Sequence, residues 1–259
     1  TLLTLNQKKI IILEGRLKML INAKEMLTKA MNEGYAVCQF NINNLEWTRF
    51  ILEECELHKA PVILGVSSGA ATYMGGFHTV FNMVSALIKD LEISIPVALH
   101  LDHGTDFETC KKAIDAGFTS VMIDASKHNL EKNIEITKQV SEYAKQFNVS
   151  VEAEIGHIGG EEDGISGEIL YAEVDDCVKL VKETNINFLA PALGSVHGIY
   201  KGEPNLQFER MLEIKNKTNI PLVLHGASGL SEDDIKKAIG CGISKININT
   251  DLQMVWSKQ

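Results

Sequence analysis

The chain has 259 residues, a formal net charge of −9, 45% hydrophobic residues and 23% charged residues. This composition supports a large buried core and excludes an intrinsically disordered protein, while the length suits two small domains or one barrel-sized domain. The Lys and Arg residues are scattered, so the chain lacks the basic stripe that binds nucleic acid. No apolar run approaches the ~18–20 residues that cross a membrane. We therefore expect neither a nucleic-acid nor a membrane partner.

The cysteines point to a reducing compartment. Their number is odd, and no two have the C-x-x-C spacing of a thiolate zinc site or a redox motif. A disulfide framework is therefore excluded, and a cytoplasmic location is predicted. The apolar patch at residues 10–13 is too short for a signal peptide and is followed by Glu14 and Arg16. The five cysteines are Cys38, Cys55, Cys110, Cys177 and Cys241.

Taken in chain order, short β-branched apolar runs alternate with longer segments of helical periodicity. The predicted strands lie at about 36–40, 62–66, 97–101, 119–124, 150–155, 187–193, 221–225 and 244–248. The predicted helices lie near 23–33, 45–58, 78–91, 106–116, 130–147, 174–184, 205–218 and 231–240. Eight strands separated by helices predict an α/β fold of the closed (β/α)₈ TIM-barrel type, with a doubly wound open sheet as the alternative.

The predicted elements form one domain, because no Gly/Ser/Pro-rich linker and no change of composition interrupts them. We expect the barrel to span residues 19–259 and residues 1–18 to form an N-terminal extension outside it. The sequence stops at Gln259, about two turns into the predicted eighth helix. We therefore expect that last helix to be incomplete.

Three histidines follow predicted strands three, six and seven: His103, His197 and His225. In barrels of this type the reacting groups lie at the carboxyl ends of the strands, where these three imidazoles would converge. Three imidazoles match a catalytic zinc that keeps its fourth position open. The alternative is that they are unrelated packing or surface histidines, the interpretation we adopt for His100.

Carboxylates accumulate at the same strand ends. Asp102 precedes His103, where it would either transfer protons at the substrate or orient a metal ligand. Asp124 and Glu154 would form a second cation site. The alternative is that Asp124 and Glu152 merely make the barrel mouth polar.

Three glycine-containing loops also follow predicted strands. Residues 159–164 combine glycines with carboxylates, as in a mobile lid that delivers an acid or base, although a solvated acidic loop fits equally. Residues 226–229 and 247–250 each precede a predicted helix, where backbone N–H groups bind anions. These last two loops occupy the usual phosphate site of the TIM barrel.

These strand-end segments resemble the class II, metal-dependent fructose-bisphosphate aldolases, in particular their short-chain bacterial branch. The resemblance extends in order over about residues 19–259. It is carried by residues 34–41, His100–Gly104, Ser120–Ser126, Val151–Glu154, Gly159–Asp163, Leu189–Gly198, His225–Gly229 and Lys245–Thr250.

The resemblance implies a role for each matching residue. The three histidines would hold the catalytic Zn²⁺, and Asp124 with Glu154 would hold a second divalent cation. Asp102 would serve as the proton donor to the C4 hydroxyl, Glu162 would exchange the proton at the dihydroxyacetone phosphate carbon, and Asn41 would help hold the enediolate. Substrate, mainly its phosphate, would be bound by Ser67, Gly198, Gly226, Ala227, Ser228, Asn247, Ile248, Asn249 and Thr250.

The implied reaction is the zinc-dependent, reversible cleavage of fructose 1,6-bisphosphate to two triose phosphates, by a homodimer or homotetramer. A monovalent cation, Na⁺ or K⁺, is implied near the phosphate. A tagatose-bisphosphate aldolase is the alternative, although residues 194–197 and 200–204 look more like the fructose branch. The family's arginine for the second phosphate lies beyond residue 259, so the sequence does not report on that subsite. A catalytically inactive barrel that acts as a binding protein is a further alternative.

Overall fold

The structure, a computed structural model, describes residues 20–162, 165–167, 170–200 and 202–258. Eight parallel strands form a closed barrel in the order β1-β2-β3-β4-β5-β8-β10-β11, which confirms the predicted TIM barrel over the open sheet. The barrel strands are β1 (Val37–Asn41), β2 (Val62–Val66), β3 (Val97–Gly104), β4 (Ser120–Ile123), β5 (Ser150–Ile155), β8 (Phe188–Pro191), β10 (Leu222–Leu224) and β11 (Ile243–Ile248).

The helices follow the strands and cover the outside of the barrel, except for the first, which precedes β1. They are α1 (Ala23–Glu33), α2 (Leu45–Leu57), α3 (Ser68–Tyr73), α4 (Phe77–Asp90), α5 (Phe107–Asp115), α6 (Leu130–Gln146), α7 (Val174–Thr184), α8 (Phe208–Thr218), α9 (Glu232–Gly240) and α10 (Thr250–Trp256). The six-residue α3 was not predicted. No described helix has the length and apolar composition needed to cross a bilayer.

Three short strands lie outside the barrel and were also not predicted. They are β6 (Gly159–Glu162), β7 (Ile165–Gly167) and β9 (Val196–His197). They form a small sheet in which β6 pairs antiparallel with β7 and parallel with β9. The loop predicted at 159–164 is therefore partly a strand pair. Asp163, Gly164 and the predicted extension at residues 1–18 lie outside the described residues.

Two apolar clusters stabilise the fold. The larger one fills the layer between the strands and the outer helices. The smaller one lies inside the barrel, where Ile63, Phe188 and Val223 pack with Ala23 and Leu27 of α1. Helix α1 therefore closes the amino-terminal end of the barrel and leaves the carboxyl ends of the strands as the accessible mouth.

Strand periodicity explains why the interior becomes polar towards the mouth. Successive side chains point to opposite faces of a strand, so residues two apart share a face. On β3 the interior positions are Ala98, His100 and Asp102, of which Ala98 lies in the inner apolar cluster. The same spacing on β11 carries Lys245 and then Asn247. β3 thus runs from the apolar floor through a buried polar layer to the mouth, and Lys245 of β11 belongs to the same layer.

Candidate active site

A β-bulge at the end of β3 brings two adjacent residues into the mouth. The pairing of β3 with β4 shifts between Leu101 and Gly104, where β3 has one residue more than its partner. Within the bulge, His103 has a φ of 49°, in the left-handed region that non-glycine residues rarely adopt. In a regular strand neighbouring side chains would point apart. The bulge lets both Asp102 and His103 reach the site.

The three predicted metal-binding histidines lie together at the mouth. One nitrogen from each of His103, His197 and His225 falls within 4.8 Å of the other two. His103 Nε2 lies 3.0 Å from His225 Nδ1. The ring centroids of His103 and His197 are 5.1 Å apart, and those of His197 and His225 are 5.7 Å apart. Atoms at this spacing fit the ligand shell of one zinc ion.

His103 also belongs to a second group of candidate ligands, with Asp124 and Glu154. Its Nδ1 lies 3.3 Å from Asp124 Oδ2 and 3.7 Å from Glu154 Oε2. Glu154 Oε2 is buried and has no hydrogen-bond partner among the described residues. A buried carboxylate oxygen in that state suits a cation, so this donor set fits the predicted second metal position.

The two carboxyl groups of this set have opposite pKa shifts. Burial raises the pKa of Asp124, but the hydrogen bond with His103 and the charge of that ring outweigh burial and place it below its usual value. Burial, followed by the negative charge of Asp124, holds the pKa of Glu154 well above its usual value. Such a pair of environments is typical of functional sites.

Asp102, the predicted acid, is 1% exposed and is held by amides from two other strands. Asn41 Nδ2 donates to Asp102 Oδ2 at 2.8 Å, and Asn247 Nδ2 donates to Asp102 Oδ1 at 3.5 Å. The amides orient both oxygens of the carboxylate. Asn41, predicted to contact the reacting part of the substrate, therefore lies next to the predicted acid.

A fully buried charge cluster lies directly beneath the histidines. His225 Nε2 lies 2.8 Å from Glu152 Oε1, and Lys245 Nζ donates to Glu152 Oε2 at 2.7 Å. Burial raises the pKa of Glu152, but the Lys245 charge and the His225 hydrogen bond outweigh burial and hold it below its usual value. Burial and then the Lys245 charge lower the pKa of His100 to about 3, and His100 Nδ1 lies 2.7 Å from Ser120 Oγ. His100 is thus a buried, hydrogen-bonded histidine, as interpreted from the sequence.

His197 is held by the small outer sheet, since it pairs with Gly160 of β6. A Cβ on Gly160, whose φ is 97°, would lie 2.1 Å from His197 O. On the other side of β9, a Cβ on Gly226 would lie 2.1 Å from Val196 O. The strand that carries His197 therefore packs against two positions, Gly160 and Gly226, where any side chain would clash with its backbone. β6 ends at the backbone of Glu162, whose side chain lies outside the described part of the structure.

Comparison with known proteins agrees with this geometry. The family model described as "Fructose-bisphosphate aldolase class-II" matches residues 21–259. The chain belongs to the class-II fructose-bisphosphate aldolase family. The predicted resemblance is thereby confirmed.

The similar proteins include two curated members of this aldolase family. The "Fructose-bisphosphate aldolase" of Geobacillus stearothermophilus is 60% identical over 240 residues, which are 92% of this chain and 84% of that protein. The protein of the same name from Staphylococcus epidermidis is 58% identical over the same shares of both chains.

Solved structures match the fold as well. A putative fructose-1,6-bisphosphate aldolase from Coccidioides immitis superposes with a TM-score of 0.85 at 30% identity, over 92% of this chain and 84% of that one. The YdjI aldolase from Escherichia coli K12 gives a TM-score of 0.82 at 34% identity, over 93% and 86% of the two chains.

Only some of the predicted substrate-binding residues lie together in the structure. One cleft beside the histidines is lined by most of them, together with the predicted catalytic residue Asn41: Gly198, Gly226, Ser228, Asn247, Asn249 and Thr250. Ala227 is buried and donates its N–H to Asn247 O, and Ile248 is a barrel-strand residue, so both act through the backbone if they bind substrate. Ser67 caps α3, where its hydroxyl accepts from Ala70 N.

Several residues at the site were not predicted. Gln253 lines the cleft from α10, three residues after Thr250, a helical spacing that sequence reasoning could have used. Lys245 was not singled out. Tyr200, half-buried, accepts a hydrogen bond from Val196 N and donates one to Gly226 O, so its hydroxyl links the His197 strand to the turn after His225.

Proposed function

We propose that this protein catalyses the reversible, zinc-dependent cleavage of fructose 1,6-bisphosphate to dihydroxyacetone phosphate and glyceraldehyde 3-phosphate. One observation carries the proposal. Three imidazole nitrogens converge within 4.8 Å of one another, beside a buried carboxylate, Asp102, that two amides orient. Membership of the aldolase family and the names of its relatives support the same reaction.

His103, His197 and His225 would hold the zinc ion, which when bound supplies a Lewis acid for the carbonyl and hydroxyl oxygens of the substrate. Asp124 and Glu154 lie near Nδ1 of His103 and would hold a second divalent cation. No lysine is then needed for a Schiff base. Lys245 lies at the buried polar layer and its Nζ is committed to Glu152, which supports metal-assisted rather than Schiff-base chemistry.

The proton transfers would be divided between two carboxylates. Asp102 would serve the C4 hydroxyl, since it lies next to a ligand in the chain and both its oxygens are oriented. Asn41 would hold negative charge that develops on the substrate oxygens. Glu162 would exchange the proton at the dihydroxyacetone phosphate carbon. Its place on β6, which pairs with the His197 strand, supports an approach to the same site.

The phosphate would bind at the loops after β8, β10 and β11. Gly198, Gly226 and Ser228 face Asn247, Asn249 and Thr250 across one cleft, which also suits a monovalent cation beside the phosphate. Ser228 Oγ accepts from Asp251 N, so the two phosphate loops are joined. Ala227, Ile248 and Ser67 complete the proposed set of substrate contacts.

The proposal includes a cytoplasmic enzyme that self-associates as a homodimer or homotetramer. The five cysteines are free thiols, which supports a reducing compartment. Exposed aromatic residues on the outside of the barrel, Phe50 and Trp256, support an association surface. Sedimentation analysis of the purified protein would give the mass of the assembly.

Comparing fructose and tagatose bisphosphates as substrates tests the function. The complete protein is stripped with a chelator, then assayed with and without one equivalent of zinc, with release of triose phosphate as the readout. We expect zinc to restore activity and the fructose compound to have the higher kcat/KM. A preference for the tagatose compound would replace the substrate. Stoichiometric zinc without cleavage of either sugar would favour an inactive, ligand-binding barrel.

A further inference from the structure

The buried pair of Glu152 and Lys245 is the strongest feature that the proposed function leaves without a role. Both side chains are completely inaccessible to solvent, and their charged atoms are 2.7 Å apart. Glu152 lies on β5 and Lys245 on β11, 93 positions apart in the sequence. Burying two charges is expensive, and well-packed apolar residues would often stabilise the barrel as well or better. Stability alone therefore does not explain the pair.

Glu152 has one oxygen for each of two hydrogen-bond partners, and His100 Nε2 lies further away, 3.6 Å from Oε2. Oε2 accepts from Lys245 Nζ, and Oε1 lies 2.8 Å from His225 Nε2. An ionised carboxylate only accepts hydrogen bonds, so His225 Nε2 must carry a proton. In the neutral ring the lone pair then resides on Nδ1, the atom that faces His103 Nε2 at 3.0 Å. Glu152 thereby determines which nitrogen of His225 is available as a ligand.

Lys245 fixes the orientation of the Glu152 carboxylate. Its Nζ donates to Oε2 at 2.7 Å, which leaves Oε1 directed at His225 Nε2, 2.8 Å away.

We propose that Glu152 and Lys245 are positioning residues that orient the His225 ring, with Nε2 donating to Glu152 and Nδ1 directed at the metal. The inference rests on the proposed function, because it assumes that His225 is a zinc ligand. A carboxylate that accepts from the second nitrogen of a metal-bound imidazole fixes its tautomer and orientation. Lys245 extends this arrangement by one further residue, from β11, which β8 and β10 separate from β5 in the barrel.

The test is zinc affinity measured without substrate, by competition with a chromophoric chelator. Glu152→Gln preserves shape but removes the charge, and it should raise the zinc Kd by about 10–100-fold, the usual effect of losing such a partner. Ser120→Ala is the matched control. It removes a buried hydrogen bond to His100 from the same layer without touching His225, and its Kd should stay within about twofold of wild type.

If the single variant does not fold, the double variant Glu152→Gln with Lys245→Met replaces it in the test. The double variant removes both charges together, so no unpaired charge remains buried. A purely structural ion pair would then be dispensable, so melting temperature and zinc affinity would both return to wild-type values. The positioning role predicts that the melting temperature recovers while the zinc Kd remains raised. A wild-type Kd in the folded double variant would overturn the proposal.

Nuclear magnetic resonance of the metal-free protein provides a second readout. With ¹⁵N-labelled histidine, the His225 ring is assigned by its loss in His225→Gln. We expect wild type to show a protonated Nε2 and an unprotonated Nδ1, and Glu152→Gln to show a mixture of tautomers. A wild-type ring protonated on Nδ1 would overturn the inference. Wild type that binds no zinc at all would instead defeat the proposed function.

Discussion

The two sides of the histidine cluster are held in different ways. His225 is 1% exposed and is fixed from below by the buried Glu152 and Lys245 on barrel strands. His197 is partly exposed and is fixed from outside the barrel by the β6–β9 pairing and the Tyr200 hydroxyl. The proposed zinc site thus combines one ligand held by the barrel core with another held by the outer sheet. We expect the core side to control metal affinity and the loop side to control events that follow binding.

The largest effect should come from removing a ligand on either side. His103→Ala, His197→Ala and His225→Ala should each abolish zinc binding and activity, because two imidazoles do not complete a catalytic zinc site. Metal analysis after gel filtration measures occupancy, and circular dichroism controls for folding. Full zinc occupancy in one of these variants would remove that histidine from the ligand set.

The next effect concerns Asp102, which touches the site from the core side without being needed as a fourth ligand. Asp102→Ala should retain zinc while kcat falls by about 10²–10⁴-fold, the usual contribution of general acid–base catalysis. Zinc analysis alongside steady-state kinetics checks both parts. Loss of zinc together with activity would make Asp102 a ligand instead.

On the loop side, Glu162→Ala should keep zinc and phosphate binding and reduce turnover by about 10²-fold, the lower range for a proton-transfer group. Solvent deuterium incorporation into dihydroxyacetone phosphate should slow by a similar factor. An acidic loop without a chemical duty predicts less than about threefold on both measures. Slower turnover with unchanged exchange would assign Glu162 to the cleavage step. Glu161→Ala controls for loss of charge in the same strand.

A backbone change sharpens the comparison further. Gly160→Ala places a Cβ 2.1 Å from His197 O at a φ of 97°, so β6 and β9 must separate. We expect a zinc Kd raised about tenfold and a small change in melting temperature, because the barrel itself is untouched. Gly202→Ala, which meets nothing within 4 Å, is the matched control. An unchanged Kd would show that the outer sheet does not position His197.

The smallest effect should come from the Tyr200 hydroxyl. Tyr200→Phe removes the link between Val196 N and Gly226 O but keeps the ring. Losing two neutral hydrogen bonds costs about 1–2 kcal/mol. We expect this to raise KM for the phosphorylated substrate severalfold, with kcat and zinc content near wild type. A fall in kcat at constant KM would place Tyr200 in the chemistry rather than in the binding cleft.

The barrel could be predicted from the sequence because its strands are short, buried and separated by amphipathic helices. The predicted strand at 97–101 begins at the observed residue, whereas the bulge that extends β3 to Gly104 left no local signal. The outer sheet was read as a loop because Gly159 and Gly160 have low strand propensity. Its pairing with β9 joins residues nearly forty positions apart, which local periodicity cannot show.

Part of the candidate site could also be predicted. The structure brings His103, His197 and His225 together, as expected because parallel strands end at one mouth. Glu152 and Lys245 were not paired, since a strand that is buried on both faces has no alternation to show which side chains point inward. Their contact spans 93 positions in the sequence. The charge cluster beneath the histidines is therefore visible only in the three-dimensional structure.

The bulge at His103 has a consequence for how this enzyme can be improved. A non-glycine residue in the left-handed region costs about 1–3 kcal/mol, which the rest of the fold must offset. Asn and Gly tolerate that conformation much better than His. We therefore expect selection for heat resistance alone to favour replacement of His103, which would remove a proposed zinc ligand. Screens for heat-resistant variants should consequently also select for turnover.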